Sequence, residues 1–483
     1  MELRKTTLER RVLTGTGLQL LSRLGTASCS ASALLLIGRH LGDAGLGRFN
    51  YYFNLFLVVG ALVDFGSMAI AVREAARQPE REAAVIRAAF RVRVAMALSG
   101  FAVCVAVSWW KEGSLANAAL PILGALHLVA VPPNAAAAWL QVRVRYAAIG
   151  LAPLIGFGVY LGLSTALCGA DVHEPGWFVV AFAAALLLQS LVPWIAASRK
   201  VQLFGPVDAA TVKALFTAMV PLGLSAAIST LYFRMDALLL NELHGDVANG
   251  RWAKTFPLLS FAIALPSYLA GSLFPALSRA ASTPGRLVAL VRRAVAVLAG
   301  FSLPALALAF AWGGQALWLF WGRRGEVEPL EQFLATNRDL LRCLPLLAFA
   351  AVAIFAAIPQ MQALTALGRQ SVLLRVTCAA LCAKLLVGGV LIWKFGVIGA
   401  AFGTAATEWL VTIWVSVELR RASGSWSLSR ALLRPVLAAA GVAAIALPLR
   451  DLAPRYVVPA ALALFAIAIV AARVLPLRLG ADE

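Results

Sequence analysis

The sequence predicts an all-α integral membrane protein of about fourteen transmembrane helices. They are arranged as two six-helix lobes related by a pseudo-two-fold along the membrane normal, with two further helices at the C-terminus. Composition, the recurrence of apolar runs and an internal repeat predict it. Of the 483 residues, 61% are hydrophobic and 13% charged, with a mean hydropathy of +0.83. A soluble domain carries about 25% charged residues to cover its surface, so the solvent of this chain is largely lipid. The same numbers exclude disorder, collagen, coiled coil and a compact soluble enzyme.

Each transmembrane helix consumes about 20 apolar residues. Such runs occur at 16–37, 49–72, 94–110, 117–140, 146–168, 176–198, 213–240, 252–275, 294–321, 340–364, 371–393, 397–417, 431–449 and 456–475. The first is the least apolar and the thirteenth the shortest, so twelve or thirteen spans are the alternatives. A membrane strand would alternate polar and apolar residues over about ten positions, whereas Val179 to Leu188 is apolar on every side.

The net charge of +19 needs its own explanation. With fourteen spans and a cytoplasmic start, 26 of the 42 Lys and Arg fall on inside segments and 12 on outside ones. This bias places both termini in the cytoplasm, and it removes the argument for nucleic acid as a partner. The basic N-terminus leads into a weakly apolar, Gly/Ser-rich first span, which is expected to stay as a signal anchor. The six cysteines, Cys29, Cys104, Cys168, Cys343, Cys378 and Cys382, share no metal-ligand or secreted-framework spacing and read as packing residues.

The repeat sets the organisation. Gly42-Asp43, three residues, then Gly47-Arg48-Phe49 recurs 203 residues on as Gly245-Asp246, three residues, then Gly250-Arg251-Trp252. An even number of helices per repeat keeps both copies in the same orientation, as in parallel repeats. The expected domains are an N-terminal lobe, 1–200, a second lobe, 201–417, and two additional helices in 418–483.

No Gly-rich run ending in Gly-Lys-Ser/Thr is present, which excludes a P-loop ATPase within this chain. The longest outer segment, about 322–339, mixes Glu326, Glu328, Glu331 and Asp339 with Arg323, Arg324 and Arg338, and reads as a solvated loop. Functional candidates are instead the ionisable residues inside the spans, since a charge at the bilayer centre costs about 2.5–3.5 kcal/mol even on a lenient scale. Arg23, Arg234 and Lys254, with Arg48 of the recurring loop, are the candidate cavity cations. Asp64, Asp236, Lys384 and Glu408 are candidates for ion coupling or for ion pairs that only lock helices. Arg91 and Arg93 are expected to snorkel to the cytoplasmic interface, and His127, alone in an apolar helix, is expected to be a hydrogen-bonded packing residue. Cations in a membrane cavity imply an anionic substrate, with arginine suited to phosphate oxygens by its planar fork of donors. Prolines at 221, 257, 266, 304, 345 and 359 supply bends that allow lobes to rock.

Several segments resemble the polysaccharide transporter (O-antigen flippase) family of the multidrug/oligosaccharidyl-lipid/polysaccharide (MOP) flippase superfamily. In the first half these are Gly38-Arg39-His40-Leu41-Gly42, Gly45 to Tyr52, Asp64-Phe65-Gly66 and Arg73-Glu74-Ala75-Ala76-Arg77. In the second half they are Val220-Pro221-Leu222-Gly223-Leu224, Arg234-Met235-Asp236, Phe274-Pro275-Ala276-Leu277-Ser278 and Phe395 to Ala401. The resemblance spans about residues 10–415. It implies carriage of undecaprenyl-diphosphate-linked oligosaccharide, an O-antigen or exopolysaccharide repeat unit, from the cytoplasmic to the periplasmic leaflet of a bacterial inner membrane. It further implies membrane lipids as surroundings and a polysaccharide polymerase and glycosyltransferases as partners; no cofactor is expected, and coupling to H+ or Na+ through Asp64, Asp236 or Glu408 is left open by the sequence. One departure is Gly250-Arg251-Trp252-Ala253-Lys254-Thr255, where members usually carry Gly-x-Tyr-x-Ala-Ala. A lipid II flippase and a multidrug antiporter share the implied fold, though a cationic drug prefers a carboxylate-lined cavity. A membrane-embedded glycosyltransferase or ligase is the alternative from a different class, and short outer loops disfavour it.

Overall fold

A computed structural model describes residues 2–143, 145–322, 329–451 and 454–471, and every regular element among them is helical. In chain order these are α1 (Glu2–Asp64), α2 (Ser67–Arg77), α3 (Glu82–Glu112), α4 (Leu115–Ala125), α5 (His127–Ala130), α6 (Ala137–Val142), α7 (Tyr146–Gly169) and α8 (Pro175–Ala197). They continue as α9 (Ala209–Ala280), α10 (Pro284–Trp321), α11 (Leu330–Thr336), α12 (Arg338–Ala366), α13 (Gln370–Ala383), α14 (Gly389–Ser423), α15 (Leu428–Ala446) and α16 (Pro454–Ala471). The acidic residues Glu326 and Glu328 of the outer loop lie outside the described residues.

Among the described residues ten helical segments are long and apolar enough to cross a membrane. Three of them run to 57, 52 and 54 residues, Leu21–Arg77, Ala209–Ser260 and Gln370–Ser423. At 1.5 Å per residue such a segment measures about 80 Å, against roughly 30 Å of hydrocarbon. Each bends within its length at a glycine whose backbone leaves the helical region: Gly42 (φ 67°, ψ −168°), Gly245 (φ 77°, ψ −172°) and Gly396 (φ 55°, ψ −128°). Around Gly42 and Gly245 an added Cβ would meet nothing within 4 Å. The backbone angle, essentially closed to residues with a Cβ, is therefore what requires glycine there. These are the two glycines that the sequence repeat aligns, and they adopt the same conformation. At Gly396 the chain folds back sharply, so that Gly399 lies against Leu391 O and Gly403 against the Gly388 backbone.

The chain packs as two compact units, Met1–Leu238 and Leu239–Glu483. In the first, α2, α3 and α6 bury Ile70, Ile86, Val92 and Leu140 together with Leu215 and Met219 from the start of α9. Phe65 (φ 41°) and Gly66 (φ 70°) separate α1 from α2. Into that break comes Gly223 of α9, where a Cβ would stand 2.5 Å from the Phe65 ring and carbonyl oxygen. The Asp64-Phe65-Gly66 and Pro221-Leu222-Gly223 segments thus form one contact. Gly223→Ala is expected to lower stability by about 1–3 kcal/mol through overpacking. Gly158→Ala in α7, where nothing lies within 4 Å of the added Cβ, should be neutral or slightly stabilising. Thermal unfolding of the two variants in one detergent checks the contrast.

In the second unit, Leu277, Val291, Ala356, Leu364, Val415 and Leu419 form a core shared by α9, α10, α12 and α14. The last two helices, α15 and α16, pack on α10 through Trp312, Val442, Ala446 and Leu464, and Trp312 Nε1 donates to Leu449 O at 2.9 Å. Between α13 and α14 a π-helical turn, Lys384–Gly388, widens the helix.

Candidate functional site

The glycine bends carry matching polar locks. In the first unit His40 Nε2 donates to Val172 O at 2.9 Å. In the second, His244 Nε2 donates to Ile392 O at 2.7 Å. Six residues beyond each bend stands an arginine. Arg48 Nη2 reaches Glu112 Oε2 at 2.6 Å, and its Nη1 reaches Glu174 at 3.4 Å, while Tyr52 OH donates to Glu112 Oε1 at 2.6 Å. Arg251, its counterpart 203 residues on, reaches Asp339 Oδ2 at 3.1 Å with Nη1. In each unit a helix bend is therefore clamped by an imidazole–carbonyl bond to one neighbouring segment and by a charged pair to the end of another helix.

The intramembrane candidates divide by their partners. Asp64, half exposed, accepts from Arg93 Nη2 at 3.0 Å, and the Arg93 side chain is only 3% exposed. Arg93 therefore does not snorkel: α3 turns this position inward, where lipid-water contact is replaced by a carboxylate. Its Nε and Nη1 make no hydrogen bond. Lys384 and Glu408 are both buried, and Lys384 Nζ lies 3.4 Å from Thr404 Oγ1. Asp236 is buried on α9. Half-buried Lys254 places Nζ 5.6 Å from the centre of the Trp321 ring, and Arg23 is exposed on α1.

Arg234 differs from the clamped arginines. It is half-buried on α9, and among the described residues its contacts are one long hydrogen bond, Nη1 to Asn54 Oδ1 at 3.4 Å, and the face of Phe53 at 5.8 Å. Among the described residues no carboxylate pairs with it. Asn54 is itself oriented by Asn50, donating to that residue's Oδ1 at 2.9 Å and to its backbone carbonyl at 2.7 Å. The result is a guanidinium with most of its donor fork uncommitted, backed by an aromatic ring and an amide pair. Such a group is suited to a planar array of phosphate oxygens. Asn50 and Asn54 had a sequence signal, two amides one helical turn apart in an otherwise apolar run, but it does not by itself name a partner. His127 behaves as its position predicts, buried and donating from Nδ1 to Gly124 O at 2.8 Å.

The helical architecture is that of a multi-pass membrane protein. The chain is similar to the lipid II flippase MurJ in an inward closed conformation, with a TM-score of 0.75 and 11% identity over 94% of this chain and 98% of that one. It is also similar to an inward-facing multidrug resistance MATE family transporter of the MOP superfamily, with a TM-score of 0.65 and 14% identity over 83% and 96%. A MOP superfamily transporter from Pyrococcus furiosus gives 0.55 and 15% over 85% and 94%. No match to a curated protein is found. Residues 12–281 match the family described as polysaccharide biosynthesis protein, and the chain belongs to that family. This agrees with the resemblance read from the sequence.

Proposed function

We propose that the protein is a flippase that moves undecaprenyl-diphosphate-linked oligosaccharide from the cytoplasmic to the periplasmic leaflet of a bacterial inner membrane, by alternating access and without catalysing a bond change. The observation that carries this reading is Arg234, a membrane cation with most of its donors uncommitted and, among the described residues, no carboxylate beside it. Arg23 is assigned as the second cation for the diphosphate and Lys254 as a further candidate, while Arg48 is assigned to the clamp with Glu112. Counting each glycine-bent segment as two crossings and adding the short apolar helix Tyr456–Val470 supports fourteen spans; the proposal takes both termini as cytoplasmic and the lobes as 1–200 and 201–417, followed by two helices in 418–483. The family assignment and the fold shared with a lipid II flippase support the reading. An inside-negative potential favours outward movement of an anion by about 2.3 kcal/mol per charge per 100 mV, so the cycle can draw on voltage whether or not H+ or Na+ is coupled to it.

The test is reconstitution into vesicles and measurement of the arrival of a polyprenyl-diphosphate oligosaccharide in the far leaflet, beside a neutral glycolipid of the same glycan. Transport of the first and not the second is the expected result. Equal transport of both would remove the anion-binding role.

A further inference from the structure

We propose a divalent transition-metal site, of the kind that takes Zn2+, formed by His40, Asp171 and His173 in the first unit. His40 stands two residues before the Gly42 bend of α1, and Asp171 and His173 lie in the turn between α7 and α8. A ligating atom from each lies within 4.8 Å of the others. The two imidazoles are stacked with ring centres 4.5 Å apart and planes 6° from parallel, and Asp171 Oδ1 is 3.2 Å from His173 Nε2. Donors around a tetrahedral Zn2+ bound at about 2.0–2.1 Å are roughly 3.3 Å apart. Because an ion must lie near the plane of each imidazole it binds, closing the cluster takes a rotation of the His173 ring out of the stack, which its side chain, 64% exposed, is free to make.

The donor chemistry selects the ion. Two imidazole nitrogens and one carboxylate oxygen suit a borderline divalent cation, with water completing its shell, rather than Ca2+ or Mg2+, which take oxygen ligands. His40 is prepared for the role by its bond from Nε2 to Val172 O. That bond places the proton on Nε2, so Nδ1 is the His40 nitrogen whose lone pair stays available to an ion, the pattern that outer hydrogen bonds set in metal-binding histidines. The second unit supplies the control for the alternative that these groups merely latch the bend. There His244 makes the same bond to Ile392 O, yet among the described residues no group of three such ligands gathers at it. The latch therefore works without Asp171 and His173, which are additional to it. An ion held here would tie α1 to the α7–α8 turn beside the bend.

The experiment uses full-length protein purified without a histidine tag, treated with a chelator, exchanged into fresh detergent buffer and titrated with ZnCl2 by calorimetry. One saturable site per chain is expected. His173→Ala, at an exposed position, and Asp171→Asn, which keeps a residue tolerant of the left-handed φ of 55°, should each weaken it by at least about tenfold. Both variants should unfold at the wild-type temperature in the absence of metal, which separates ligand loss from misfolding. Failure of the wild type to show a saturable site, or unchanged affinity in His173→Ala, would overturn the assignment.

Discussion

Arg234→Ala is expected to slow flipping of a polyprenyl-diphosphate oligosaccharide by about thirtyfold or more, the equivalent of roughly 2 kcal/mol for truncating one partner of a desolvated charged contact. The same variant should not lose stability. Removing a cation that faces Asn54 and Phe53, with no carboxylate beside it among the described residues, leaves no opposite charge orphaned and relieves the cost of holding a charge away from water. A melting temperature that is unchanged or slightly raised, together with a collapsed rate, is the expected pair of readings. Arg234→Lys should fall between wild type and alanine, because an ammonium keeps the charge but loses the planar fork. Asn54→Ala should cost less than Arg234→Ala, since it removes only the group that orients the guanidinium. Flipping measured in vesicles over time, with melting measured on the same preparations, checks all three. A full rate in Arg234→Ala would end the assignment of this residue to the substrate.

The fold class was legible because lipid imposes it: apolar runs of span length, separated by short charged segments, are a consequence of the solvent, and they are written locally in the chain. The bends were legible in part. The Gly42 and Gly245 segments align in sequence, and the structure gives both glycines the same unusual backbone angles. The repeat could not reveal that the aligned arginines, Arg48 and Arg251, are clamped to Glu112 and Asp339. Those carboxylates lie 64 and 88 residues away, and no periodicity links them to the arginines. The same limit governs Arg93. Its position near the end of an apolar run is compatible with snorkelling, and only the packing of α3 against Asp64 decides that it points inward. Charge within a span is thus easily found from sequence, while pairing across helices is a tertiary fact. This bears on the proposed function, which gives the paired cations to the scaffold and Arg234, with no carboxylate beside it among the described residues, to the ligand.

That distinction is sharpest at Asp64, where ion coupling and simple pairing make different forecasts. Asp64→Ala is expected to destabilise the protein by about 3 kcal/mol, the lower end for breaking a buried pair, because it leaves the Arg93 guanidinium buried and without its carboxylate. The lower end applies since the Asp64 side chain is 45% exposed and its charge is partly screened by its surroundings. Asp64→Ala combined with Arg93→Met should recover most of that loss, as apolar replacement of an entire buried pair is often neutral or stabilising. Arg93→Met alone should cost less than Asp64→Ala alone, because the half-exposed carboxylate it frees can still be solvated. Thermal unfolding of the four proteins closes a double-mutant cycle whose coupling term measures the pair. Flipping by the double variant then separates the roles. Restored stability with a restored rate makes Asp64 a lock between α1 and α3. Restored stability with a lost dependence on H+ or Na+ makes it the coupling carboxylate, and the lock is the expected outcome because its charge is already answered by Arg93.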